Sequence, residues 1–80
     1  MIKTLHSVEH KILLNLLKGL RHSKGLTQLE LSNLLDVPQS FVSKYELGER
    51  RLDIIELRSI CRKLDIDFLK FIKSLEKQLI

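Results

Sequence analysis

One cysteine, one proline, three glycines and no tryptophan leave this 80-residue chain little with which to staple or interrupt a fold. The lone Cys61 excludes an intramolecular disulfide and a cysteine-based zinc site, and it suits a reducing compartment. No apolar run exceeds Ile12-Leu13-Leu14, far short of the roughly 20 residues a membrane span needs and too short for a signal peptide. A cytoplasmic protein is therefore expected. No segment alternates with period two, and the β-branched residues are too scattered for a sheet. Catalytic signals are missing as well: no Gly-rich loop could cradle a nucleotide, and no Ser or Cys has a recognisable base and orienter. His6 and His10 stand one helical turn apart but lack a third ligand at useful spacing. The expectation is no enzyme, no metal and no cofactor.

Eighty residues make one domain, spanning 1–80 and near the lower end of what folds alone. Such a chain buries only about 60% of its unfolded surface, and its stability should be roughly 4–12 kcal/mol. Dimerisation would add useful burial. The net charge of +4 favours an anionic partner without proving one. Residues 1–17 sum to +1, residues 18–51 to +2 and residues 52–80 to +1, so any basic face must be assembled by folding.

What the chain does have is helical periodicity, and it reads as five helices in an all-α fold. The first runs from about Ser7, a plausible N-cap, to His22, with Ile12, Leu13, Leu16, Leu17 and Leu20 as its apolar stripe. Thr27-Gln28-Leu29-Glu30 has the form of a capping box opening a second helix that carries Leu31, Leu34 and Leu35. Asp36-Val37-Pro38 interrupts it, since Pro38 cannot donate to a continuing helix. A third helix restarts near Gln39, turns Val42 and Tyr45 inward and ends at Gly48 in a left-handed cap. The fourth starts at Asp53, with Glu56 at the reciprocal capping position, and presents Ile54, Leu57, Cys61 and Leu64. The fifth follows Asp67 to the C-terminus.

Two short helices separated by about three residues, the motif spanning 27–47, make a helix-turn-helix. The segment resembles the Xre-type helix-turn-helix family, which includes the Cro and cI phage repressors. Leu26-Thr27-Gln28, Glu30-Leu31-Ser32, Pro38-Gln39-Ser40, Val42-Ser43-Lys44-Tyr45-Glu46 and Gly48-Glu49-Arg50-Arg51 carry that resemblance, in order and at the family's spacing. Asp36 stands where the family usually has Gly, and Ser32 where it usually has Ala. Asp tolerates a left-handed conformation, and Ser is small enough for two helices to cross closely.

The resemblance implies a lambda-repressor-like domain that binds duplex DNA with the N-terminus of the third helix (about 39–46) in the major groove. Gln39 is the leading base reader, because its amide matches adenine N6 and N7. Ser40 lies beside it, and Lys44 on the same face could donate to guanine. The alternative for each is a solvated side chain on an exposed face. Phe41 could touch thymine methyls or the sugar backbone, or equally pack over Tyr45, and Ser43 is near the groove by position. By resemblance Gln28 clamps a phosphate at the start of the second helix. Arg50 and Arg51 can reach the backbone on the flank; their alternative is pairing with Glu49 or Asp53. Arg21 and Glu46 match a family ion pair that holds the reading helix to the scaffold.

On the last helix (67–80), Phe68, Leu69 and Ile72 are expected to seal the core and Phe71, Leu75 and Leu79 to remain exposed as a homodimer interface. The alternative is that the whole stripe packs on the first and fourth helices. A two-fold dimer would place two reading helices about 34 Å apart on a pseudo-palindromic operator. The expected function is a homodimeric, sequence-specific transcriptional regulator, most simply a repressor, with no small-molecule ligand. The competing class is a protein-interaction module such as an antitoxin or adaptor.

Overall fold

The computed structural model describes residues 7–80, so His6 lies outside the described residues. Five helices follow in order: α1 (Val8–Ser23), α2 (Gln28–Leu35), α3 (Gln39–Leu47), α4 (Ile54–Lys63) and α5 (Phe68–Leu79). Each start has a local cause. Ser7, Thr27, Asp53 and Asp67 accept a hydrogen bond from the third backbone N–H of α1, α2, α4 and α5 respectively. At Thr27 and Asp53 the bond is reciprocated by Glu30 and Glu56, completing two capping boxes.

The ends of α1 to α4 share a single device. Gly25, Asp36, Gly48 and Asp65 all adopt positive φ, between 58° and 81°. In each case that residue's N–H donates three residues back, and the next residue's N–H donates five residues back. This is the Schellman motif, and it satisfies carbonyls that the helix end would otherwise strand. Asp36 (φ 58°, ψ 46°) fills the position without glycine. Asp65 does the same between α4 and α5, a turn that the sequence reading did not single out.

The core gathers Leu14 and Leu17 of α1, Leu31 of α2, Val42 and Tyr45 of α3, Leu57, Ile60 and Cys61 of α4, Leu64, and Phe71 of α5. Burial pushes the Cys61 thiol up to about 11, as befits a small packed side chain rather than a reactive one. Ser32 is fully buried, with its hydroxyl donating to the Leu29 carbonyl at 2.7 Å. The Tyr45 hydroxyl is buried and has no hydrogen-bond partner among the described residues.

Several faces turn differently from expectation. Leu14 is buried, whereas Leu13, Leu16 and Leu20 flank the core half-exposed and Ile12 is half-exposed. Leu34 and Ile54 face solvent, and Ile60 takes the inward place on α4. The largest correction concerns α5. Phe71, expected at an interface, is 4% exposed and part of the core, while Leu69, expected to seal that core, is 73% exposed. Two residues apart on a helix means about 200° around its axis, so only one of the pair can face inward. With apolar residues over so wide an arc, the helix phase is set by docking against α1 and α4.

Phe71→Ala is expected to cost about 3–5 kcal/mol through lost burial and a cavity, whereas Leu69→Ala should stay within about 0.5 kcal/mol of wild type. Urea unfolding of both variants checks the assignment, and equal costs would contradict this phase of α5.

Candidate nucleic-acid interface

The third helix is held from inside and exposed on its outside. It has nine residues, too few to persist alone. Val42 and Tyr45 anchor one face with no residual exposure. Its start differs from the other four, because Pro38 is the N-cap and supplies no side-chain hydrogen bond. Gln39, Ser40 and Lys44 are all exposed, Gln39 as the first residue of the helix and Ser40 and Lys44 on the side away from that anchor. Ser43 is half-buried, its hydroxyl 3.4 Å from the Ser40 carbonyl.

One carboxylate ties this helix to the scaffold. Arg21 donates to Glu46 through Nε at 2.7 Å and Nη2 at 2.9 Å, the forked geometry that suits a guanidinium and a carboxylate. The two side chains are only 7% and 3% exposed. Arg21 Nη1 also donates to the Leu26 carbonyl at 2.8 Å, fixing the loop between α1 and α2. Gln28 Nε2 donates to Glu46 Oε1 at 2.9 Å, so the first residue of α2 joins the same group. That contact was not anticipated. It engages one amide N–H of Gln28 with protein and leaves the side chain half-exposed at the start of α2.

A second, more exposed cluster lies across the loop after α3. Phe41 packs edge-on against Tyr45, with centroids 5.9 Å apart at 75°. The Arg50 guanidinium stacks over the Phe41 ring at 4.2 Å. Arg50 also donates to both Glu56 oxygens, at 3.1 and 2.8 Å. Its partner is thus neither Glu49 nor Asp53 but the capping glutamate of α4. Arg51 is exposed. No spacing rule links residues six apart across a loop, so this cluster could not be read from the sequence. Among the described residues there is no group of three or more metal-ligating side chains, and no helix is long and apolar enough to cross a membrane.

The Arg21–Glu46 pair makes stability depend on pH in a defined direction. Burial alone would raise the Glu46 carboxyl, but hydrogen bonds from Arg21 and Gln28 and the guanidinium charge outweigh it, so its pKa is lowered. A carboxyl lowered on folding stabilises fully above its unfolded value, near 4.3, and that contribution is lost as pH falls through the lower folded value. Glu46→Gln should therefore lose about 3–5 kcal/mol at neutral pH, because Arg21 is left buried and unpaired. The gap from wild type should close as pH falls below about 4. Urea titrations across that range check it, and a gap independent of pH would refute a role for the Glu46 charge.

A helix-turn-helix family profile matches residues 17–71, more than half of the chain. Among solved structures, an XRE-family like protein from Pseudomonas syringae pv. tomato str. DC3000 is 45% identical, with a TM-score of 0.86 over 95% of this chain and 93% of that one. The wild-type restriction-modification controller protein C.Esp1396I is 26% identical, with a TM-score of 0.83 over 92% of this chain and 97% of that one. The tetramer of that controller in complex with its natural 35 base-pair operator matches at 26% identity and a TM-score of 0.81, over 90% of this chain and 95% of the other. No curated protein matches the sequence. With the reading helix exposed, its anchor buried and the family profile over most of the fold, the chain belongs to the XRE-type helix-turn-helix family of DNA-binding transcriptional regulators.

Proposed function

We propose that this protein acts as a non-enzymatic, cytoplasmic homodimeric repressor that occupies a pseudo-palindromic operator by placing α3 in the major groove. The observation that carries this is the exposed set Gln39, Ser40 and Lys44 on a helix whose last turn is clamped by a buried ion pair. A side chain reads a base edge only when its backbone is held in one place, and Arg21–Glu46 supplies that hold. Gln39 reads adenine, Ser40 and Lys44 extend the contact, and Phe41 and Ser43 border it. Gln28 keeps one amide N–H for a phosphate while Glu46 holds the other, and Arg51 is an exposed cation on the flank. Residues 1–80 are read as one helix-turn-helix domain.

Dimerisation belongs to α5, with its composition revised. Phe68 and Ile72 pack against the core, as expected, and Leu75 and Leu79 continue the half-buried face beyond them. Leu75 and Leu79, one turn apart, suit pairing with a second helix. Phe71 is used internally and leaves the interface; Leu75 and Leu79 stay in it. The similar controller protein is a tetramer on its operator, which supports assembly on DNA here. The apolar face would equally serve an antitoxin-like protein partner, and DNA binding by the isolated protein separates the two readings.

Gln39→Ala should leave helix content unchanged and lose about 1–3 kcal/mol of discrimination at one adenine position per half-site. The check is binding to a randomised duplex library followed by single-site titrations. Equal weakening on all sequences would remove Gln39 from base reading.

Leu75→Glu would bring two unpaired carboxylates into each dimer at a cost of several kcal/mol. Sedimentation should show a dimer becoming monomer, with circular dichroism little changed and DNA binding sharply weakened. A monomeric wild type, or a variant that stays dimeric, would dismiss the α5 seam; outright unfolding would assign Leu75 to the subunit core.

A further inference from the structure

We propose that Arg50 is a stored phosphate ligand, held by Glu56 and Phe41 in the free protein and handed to the DNA backbone on binding, so that Glu56 sets the affinity for duplex DNA. The inference rests on the DNA-binding reading above and adds to it a residue, Glu56, that touches no DNA.

Position is the first argument. After the left-handed turn at Gly48 the chain reverses, and the Arg50 guanidinium ends 4.2 Å above the ring of Phe41, the third residue of α3. The cation therefore sits at the level of the first turn of α3, the groove-entering end, rather than at the end from which its loop departs. Chemistry is the second argument. The guanidinium fork that grips both Glu56 oxygens has the same two-oxygen match to a phosphate, and the stacked ring covers only its face.

Strength of holding is the third. Arg50 and Glu56 side chains are 37% and 29% exposed, against 7% and 3% for Arg21 and Glu46. A water-exposed pair biases an equilibrium by about fivefold at most, whereas each phosphate neutralised releases condensed counterions as well. Departure of Arg50 also leaves α4 intact. Glu56 Oε1 independently accepts the Asp53 N–H at 3.0 Å, and Asp53 accepts the Glu56 N–H at 2.7 Å, so the capping box survives without the arginine. The two roles of Glu56 are separable. One caps a helix, and the other competes with DNA for Arg50.

Glu56→Gln tests this, because Gln retains the capping role while removing the competing charge. Affinity for a random-sequence duplex is measured against salt for wild type, Glu56→Gln, Arg50→Ala and the double variant, with thermal unfolding of each as a control for folding. Glu56→Gln is expected to tighten binding by about two- to fivefold. Arg50→Ala should flatten the slope of log K against log salt by about 0.9, one phosphate's worth. In the Arg50→Ala background the tightening should largely vanish. An equal gain from Glu56→Gln with and without Arg50 would reduce Glu56 to a general repulsive charge and overturn the proposal. So would an unchanged salt slope in Arg50→Ala. If Glu56→Gln proves unstable, Glu56→Asp decides: Asp keeps the charge but is one methylene too short to hold the Arg50 fork, and should tighten binding with Arg50 present and not in the Arg50→Ala background; no gain would overturn the proposal. Failure of the wild type to bind any duplex would instead defeat the DNA-binding reading itself, and this proposal with it.

Discussion

The Glu46 carboxylate is the point on which the geometry of the molecule depends. Through Arg21 it is tied to α1 and to the Leu26 carbonyl, and through Gln28 to the start of α2, while it belongs to the last turn of α3. Three helices and one loop are registered against a group almost closed to water. Hydrophobic contacts from Val42 and Tyr45 supply attraction but little angular restraint, because burial is non-directional. A forked ion pair supplies direction. Its desolvation is costly, so its value lies less in net stability than in fixing how α3 sits on the scaffold. A helix that reads base edges needs that restraint more than it needs extra attraction.

A second ion pair of the same chemical type behaves oppositely because its surroundings differ. Arg50–Glu56 is partly hydrated, bridges a loop and shares its cation with an aromatic ring. Burial turns one Arg–Glu pair into a rivet, and exposure leaves the other exchangeable. The net charge of +4 is spread evenly along the chain. The usable positive charge beside α3 therefore depends on which cations folding pairs and which it leaves to solvent. Lys44 and Arg51 are exposed, Arg21 is internal, and Arg50 stands between these cases.

Such a small domain also relies on its punctuation. Only about ten apolar side chains are well buried, so each helix end that strands no backbone group contributes noticeably. Four side-chain N-caps each satisfy one terminal donor, and four Schellman ends each satisfy two terminal acceptors. The exception is the start of α3, which Pro38 leaves without a side-chain cap. That omission falls on the helix end assigned to the groove, where an exposed donor is useful.

Whatever depends on neighbours in the chain could be read from its residues. Ser7, Thr27, Asp53 and Asp67 mark helix starts because a side-chain oxygen reaches an N–H only three residues on; Asp36 and Gly48 mark ends because few other residues accept positive φ. The ordered motif from Leu26 to Arg51 likewise identifies the helix-turn-helix, and with it the Arg21–Glu46 pairing by resemblance. Relations between elements were decided only by tertiary structure. Phe71 rather than Leu69 faces inward, and Ile60 rather than Ile54, because helix phase follows docking and a wide apolar arc leaves it open. The contacts of Gln28 with Glu46 and of Arg50 with Glu56 and Phe41 join residues whose distance is set by where helices cross and how a loop returns. No periodicity along the chain encodes those distances.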